Sequence, residues 1–103
     1  MNYRTDDREL TADFLQLAQR VWPGQYDPEL TAAALERTIN VTAWDGERLV
    51  GCVRMLTDGC FFSTVTEVLV DPAYQRRGIG RRLMEIAWEV VVCLWLLSSR
   101  LAL

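Results

Sequence analysis

Histidine is absent from the 103 residues, and cysteine occurs only at 52, 60 and 93, with no CxxC spacing. Without an imidazole base, Ser-His and Cys-His nucleophilic chemistry is excluded. The same shortages argue against a zinc site, which needs clustered thiolates or imidazoles, so no metal is expected. Long apolar runs are also missing. The longest near the C-terminus, VVVCLWLL at residues 90–97, has 8 residues, against the roughly 20 of a membrane-spanning helix. The N-terminal MNYRTDDREL has no apolar signal core, so a cytoplasmic location and no membrane partner are expected. Repeats, low-complexity tracts and linkers are lacking too, and the length suits one core, so residues 1–103 are read as a single domain.

What is present is an ordinary globular composition, half hydrophobic and 24% charged, with net charge −3. That balance gives no general basic field for nucleic acid. Positive charge is instead concentrated at Arg76, Arg77, Arg81 and Arg82, an arrangement that suits a small anion better than a polymer.

Leu10, Phe14, Leu17, Ala18 and Val21 follow the spacing of one helical face, which Pro23 and Gly24 terminate. A second helix is expected after Asp27 as N-cap and Pro28 at its first position, with Leu30, Ala34, Leu35 and Ile39 as its buried stripe. From Asn40 the apolar period becomes two. Asp45-Gly46 and Asp58-Gly59 separate alternating runs, the strongest short hairpin signal, so three antiparallel strands are expected, the last beginning at Cys60. A short strand at residues 2–5 is also anticipated. The last strand ends at Asp71-Pro72, and Ile79, Leu83, Ile86, Ala87 and Val90 then mark a third amphipathic helix. The element order is β-α-α-β-β-β-α.

The junction VLVDPAYQRRGIGRRLMEIAWE, residues 68–89, joins a β-branched strand to a helix through two glycines flanked by arginines. A helix start with free amides and glycines that allow close approach is a fit place for phosphate; a solvated turn with surface arginines fits the same residues. Spacing excludes two common nucleotide motifs. There is no GxxxxGK[ST], and GIGRRL has Leu83 where a dinucleotide fingerprint needs its third glycine.

QRRGIG, from Gln75 to Gly80, resembles the Q/R-x-x-G-x-G/A signature of the GCN5-related N-acetyltransferase (GNAT) family, and EVLVDPAY before it resembles that family's fourth strand. The resemblance implies an α+β fold of three layers, α/β/α, around a mostly antiparallel sheet. It implies acetyl-CoA as acyl donor, with the pyrophosphate held by Gln75, Arg76, Arg77, Gly78, Ile79, Gly80 and Arg81, and the pantetheine along Val68, Leu69 and Val70. A backbone N–H at Leu69 or Val70 would polarise the thioester oxygen. The acceptor implied is a primary amine of a small molecule or peptide, attacking the thioester directly. Glu67 is then the candidate catalytic base, with a surface ion pair as its other reading. Trp22 and Tyr26 border the segment that shapes acceptor specificity in this fold, and are read either as substrate contacts or as core packing.

Members of the family usually continue into further strands and a fourth helix carrying a tyrosine acid. Tyr3, Tyr26 and Tyr74 lie elsewhere, so the resemblance implies a C-terminally shortened member with no assigned general acid. Residues 90–97 fit either a fifth strand or a continuation of the third helix. Being apolar all round, they point to a homodimer, with Trp95 and Leu97 at the contact. Two functions follow as alternatives: an acyl-CoA-dependent N-acetyltransferase, or a non-catalytic CoA-binding or interaction module.

Overall fold

A computed structural model describes residues 1–5, 9–59 and 62–101, with side chains through Leu94. The expected order is found: β1 (Asn2–Arg4), α1 (Thr11–Val21), α2 (Pro28–Arg37), β2 (Ile39–Asp45), β3 (Arg48–Thr57), β4 (Ser63–Val70), a 3-10 turn (Pro72–Tyr74) and α3 (Ile79–Leu101). The strands form one antiparallel sheet in the order β1-β2-β3-β4, so β4 is an edge among the described residues.

Both Asp-Gly pairs turn the chain as expected, with Gly46 and Gly59 at φ +61° and +82°, the left-handed region that glycine enters without cost. The third strand of that series starts at Ser63, later than expected; Cys60 lies outside the described residues. Asp27 caps α2, accepting bonds from the N–H groups of Glu29 and Leu30 at 2.8 and 3.1 Å. The stripe expected on α2 is only partly buried. Leu35 packs inward, but Leu30 is 70% exposed and Ile39 has already entered β2, because the helix ends at Arg37.

The sheet carries a core on each face, which makes the architecture three layers. Leu10, Phe14, Leu17 and Ala18 of the α1 region and Leu35 of α2 pack on Trp44, Leu49, Cys52 and Leu69. On the opposite face, Ile79, Leu83 and Ala87 of α3 pack on Val41, Ala43, Val50, Val53 and Met55. Each fully buried leucine among them, such as Leu17 or Leu83, stabilises the fold by roughly 1.5–3 kcal/mol. The two readings of residues 90–97 are resolved in favour of helix: α3 runs unbroken through them, and Val90 and Val91 pack against the second core. Propensity penalties for valine in a helix are only tenths of a kcal/mol, too small to break it without a turn residue. The side chains of Trp95 and Leu97, expected at a dimer contact, lie outside the described residues.

Candidate functional site

The site begins with an irregularity in β4. Arg54 pairs with Glu67 across the ladder while the next residue, Met55, pairs with Val65, so Thr66 is an extra residue, a bulge. Regular alternation from Val65, which faces α3, would send Glu67 to the α3 side as well. The bulge turns Glu67 to the α1/α2 face instead. There its Oε1 accepts a bond from Arg54 Nη1 at 2.7 Å, and the Arg54 guanidinium lies 5.3 Å from the centroid of the Phe14 ring.

Beside this pair opens a cleft of about 220 Å³ whose walls include Phe14, Trp22, Tyr26, Leu30, Glu67 and Leu69. Trp22, Tyr26 and Glu67, assigned separately from the sequence, therefore share one cavity. Trp22 is 57% exposed, which removes it from the core-packing reading, while Tyr26 is partly buried against the first core. The loop that carries them is fixed. Gln19 bonds Gly24 through both its side-chain oxygen and nitrogen, and the Tyr26 hydroxyl donates to the Trp22 carbonyl.

Past Glu67, β4 runs as an open edge toward the glycine loop. The Asp71 N–H bonds the Val50 carbonyl at 2.8 Å, so strict alternation turns the backbone groups of Glu67 and Leu69 toward β3, and those of Val68 and Val70 outward. Between the two residues named for thioester polarisation, this favours Val70 over Leu69, whose side chain is buried in the first core. The outward Val70 carbonyl accepts from Gln75 Nε2 at 3.1 Å, which ties the first residue of the QRRGIG loop to the strand.

That loop is conformationally unusual. Arg76 has φ +64° and Gly78 has φ +81°, and a non-glycine residue in the left-handed region stores strain of a kind that clusters at ligand clamps. The first α-helical bond of α3 is from the Arg82 N–H to the Gly78 carbonyl at 3.0 Å, so the amides of Ile79, Gly80 and Arg81 have no partner within the helix. A side chain at Gly80 would begin 3.6 Å from Val70 Cγ2, between the helix start and the strand edge. Among the described residues no carboxylate lies within ion-pair distance of Arg76, Arg77 or Arg81. Free amides, a bare glycine surface and unpaired guanidinia are the donor set a pyrophosphate requires, so the residues present fit CoA.

A network beneath the loop has no counterpart in any sequence motif. Asp71, only 2% exposed, meets Arg20 Nε of α1 at 2.7 Å and Arg48 Nη2 of β3 at 2.9 Å, and accepts from the Ala73 amide at 2.9 Å. Burial alone would raise the pKa of Asp71. The bonds from Arg48 and Ala73, with the charges of Arg20 and Arg48, outweigh burial and hold it below its ordinary value. Tyr74 donates to Asp45 Oδ2 at 2.6 Å, a bond that raises the tyrosine pKa, and the Arg48 and Arg77 guanidinium carbons lie 6.0 and 5.2 Å from its ring. The loop is thus braced against α1, β3 and the β2–β3 hairpin.

A family model described as an acetyltransferase (GNAT) domain matches residues 36–102. A probable acetyltransferase of Glycine max is 33% identical over 85 residues, 71% of this chain and 34% of that protein. The chain therefore spans about a third of that relative's length. A probable acetyltransferase from Staphylococcus aureus superposes with TM-score 0.80 at 21% identity, over 94% of this chain and 73% of that one. An aminoglycoside 6'-N-acetyltransferase complexed with coenzyme A gives TM-score 0.73 at 22% identity, over 91% and 57% of the two chains. At such identities these structures speak for the fold alone.

Proposed function

The chain belongs to the GNAT acetyltransferase family, and from that premise we propose that it moves an acetyl group from acetyl-CoA to a primary amine of a small molecule or peptide. The observation that carries this reading is the continuity of one strand: β4 passes from Glu67 at the amine cleft, along the outward backbone of Val68 and Val70, to the loop of free amides and arginines before α3. Gln75, Arg76, Arg77, Gly78, Ile79, Gly80 and Arg81 hold the pyrophosphate, and the edge of Val68 and Val70 holds the pantetheine amides as an added strand would. That a neighbour of the same fold was solved in complex with coenzyme A supports CoA as the donor's carrier.

The donor supplies an acetyl thioester. Glu67, directly or through a water, takes a proton from the incoming ammonium and frees its lone pair to attack the carbonyl carbon. The Val70 N–H stabilises charge on the thioester oxygen. As the C–N bond forms, the C–S bond breaks; of the two protons the ammonium loses, one goes to the leaving thiolate and one to solvent. A thiol with pKa near 8.5 is a tolerable leaving group, so the chemistry runs without an assigned acid. In this reading the chain works in the cytoplasm as a homodimer. No helix among the described residues is long and apolar enough to cross a membrane.

Two variants test it. Gly80→Asp places a carboxylate among the amides and should lower CoA affinity well over tenfold by calorimetry, with circular dichroism unchanged. Unchanged affinity sinks the cofactor assignment. Glu67→Gln should lower the transfer rate by about 10² at neutral pH while CoA still binds. The 2.7 Å bond that commits Glu67 Oε1 to Arg54 favours a second reading, a CoA-binding module without catalysis. CoA binding with no thiol release across a broad amine panel would select it.

A further inference from the structure

The cleft beside Glu67 also carries information about the acceptor. Its lining is unequal in chemistry: Phe14, Trp22, Tyr26, Leu30 and Leu69 are apolar or aromatic, and the charged groups are one carboxylate and one guanidinium already joined to each other. Trp22 and Leu30 stand 57% and 70% exposed at its rim. Trp22 on a loop pinned by side-chain bonds and Leu30 on the capped helix α2 form a preorganised apolar wall, which reduces the entropy lost when a flat ligand settles.

We infer that the acceptor is a small arylalkylamine: one primary ammonium on a short tether to an aromatic ring. The inference rests on the acetyl-transfer reading for the fate of the amine, not for its binding. The ring lies between Trp22 and Leu30, and the ammonium meets Glu67.

Hydrogen bonding argues against a sugar. The two hydroxyls lining the cleft already donate to backbone carbonyls, Tyr26 to Trp22 and Thr31 Oγ1 to Asp27 at 2.8 Å, so they have no O–H left to give a polyhydroxyl acceptor, which loses part of what water gave it. Charge argues against a polyamine. With a single carboxylate, shared with Arg54, second and third ammonium groups would sit unpaired beside a guanidinium.

The test is calorimetric titration of the CoA-saturated protein with 2-phenylethylamine, spermidine and glucosamine. 2-Phenylethylamine should bind at least tenfold tighter than the other two. Trp22→Ala should remove at least tenfold of that affinity, and Trp22→Phe should restore most of it. Spermidine or glucosamine binding as tightly, no saturable binding of 2-phenylethylamine, or an unaffected Trp22→Ala variant would each overturn the inference. Thiol release from acetyl-CoA is read in parallel. Binding in the stated order without thiol release keeps the acceptor class and rejects the transfer reading; release with spermidine in preference to 2-phenylethylamine does the reverse.

Discussion

Asp71 and Cys52 are both buried, and their surroundings act on them in opposite ways. The Asp71 carboxylate is stabilised by Arg20 and Arg48, so its lowered pKa is a stability term. That term is present above the unfolded carboxyl value of about 3.9 and is lost as pH falls through the lower folded value. Asp71→Asn should cost about 2–3 kcal/mol in denaturant unfolding, less than the roughly 3–5 of a fully buried broken pair because Arg48 is half exposed. It should also flatten the acid limb of the stability profile; an unchanged limb would show that other carboxylates govern it. Cys52 has its thiol pKa pushed up to about 12, chiefly by burial, while Cys93 is exposed. Iodoacetamide at pH 8 should alkylate Cys93 and spare Cys52 in the native protein, as mapped by peptide mass spectrometry. Equal labelling of the two would mean that the core opens readily. Cys93 must in any case be counted in assays that read free thiol.

The elements were largely legible because their signals are local. Asp-Gly turns, the Asp27-Pro28 helix start and the 3.6-residue stripe of α1 each need only a few neighbouring residues to be recognised. The QRRGIG junction was legible for the same reason. The Arg54–Glu67 pair was not, because the Thr66 bulge sets its register, and a one-residue shift in a strand moves a side chain to the other face. The Asp71 network joins α1, β3 and the loop, residues 28 and 23 positions or more from one another in places where no periodicity points. Gly51 belongs with these. A β-carbon there would meet Leu83 Cδ1 at 3.0 Å and Ile79 Cγ2 at 3.1 Å, so this glycine lets the start of α3 lie close on β3. Both neighbours are buried and have little room to move. Gly51→Ala should destabilise by about 1–3 kcal/mol and, by displacing Ile79, weaken CoA binding severalfold. A variant with wild-type melting temperature would show that the helix is free to shift.

At the scale of the whole molecule, α3 has too little to cover it, and among the described residues β4 has β3 on one side and no strand on the other. The radius of gyration is 14.2 Å, against about 13 Å expected for a compact chain of this length, and a 23-residue helix accounts for the excess by spanning about 34 Å. On its side toward β4, Met84 and Trp88 are 41% and 68% exposed, and with Val65 and Val91 they border an apolar groove. The homodimer is expected through residues 90–97 with Trp95 and Leu97; we propose that its contact also takes in this groove, a second copy lying across a two-fold axis with the edges of the two β4 strands side by side. The contact has to share β4 with CoA. The half near Ser63 and Val65 borders the groove, whereas Val68 and Val70 lead to the glycine loop, so a dimer built on the first half leaves the second free. Sedimentation at micromolar concentration should therefore give about twice the 11.8 kDa of one chain, unchanged by saturating CoA. Trp88→Asp should yield a monomer that still binds CoA, since the new charge lies on the groove and away from the α3 start. A wild-type monomer would refute the dimer, and dissociation of a wild-type dimer by CoA would move the contact onto Val68 and Val70, where protein and pantetheine compete for the same backbone groups.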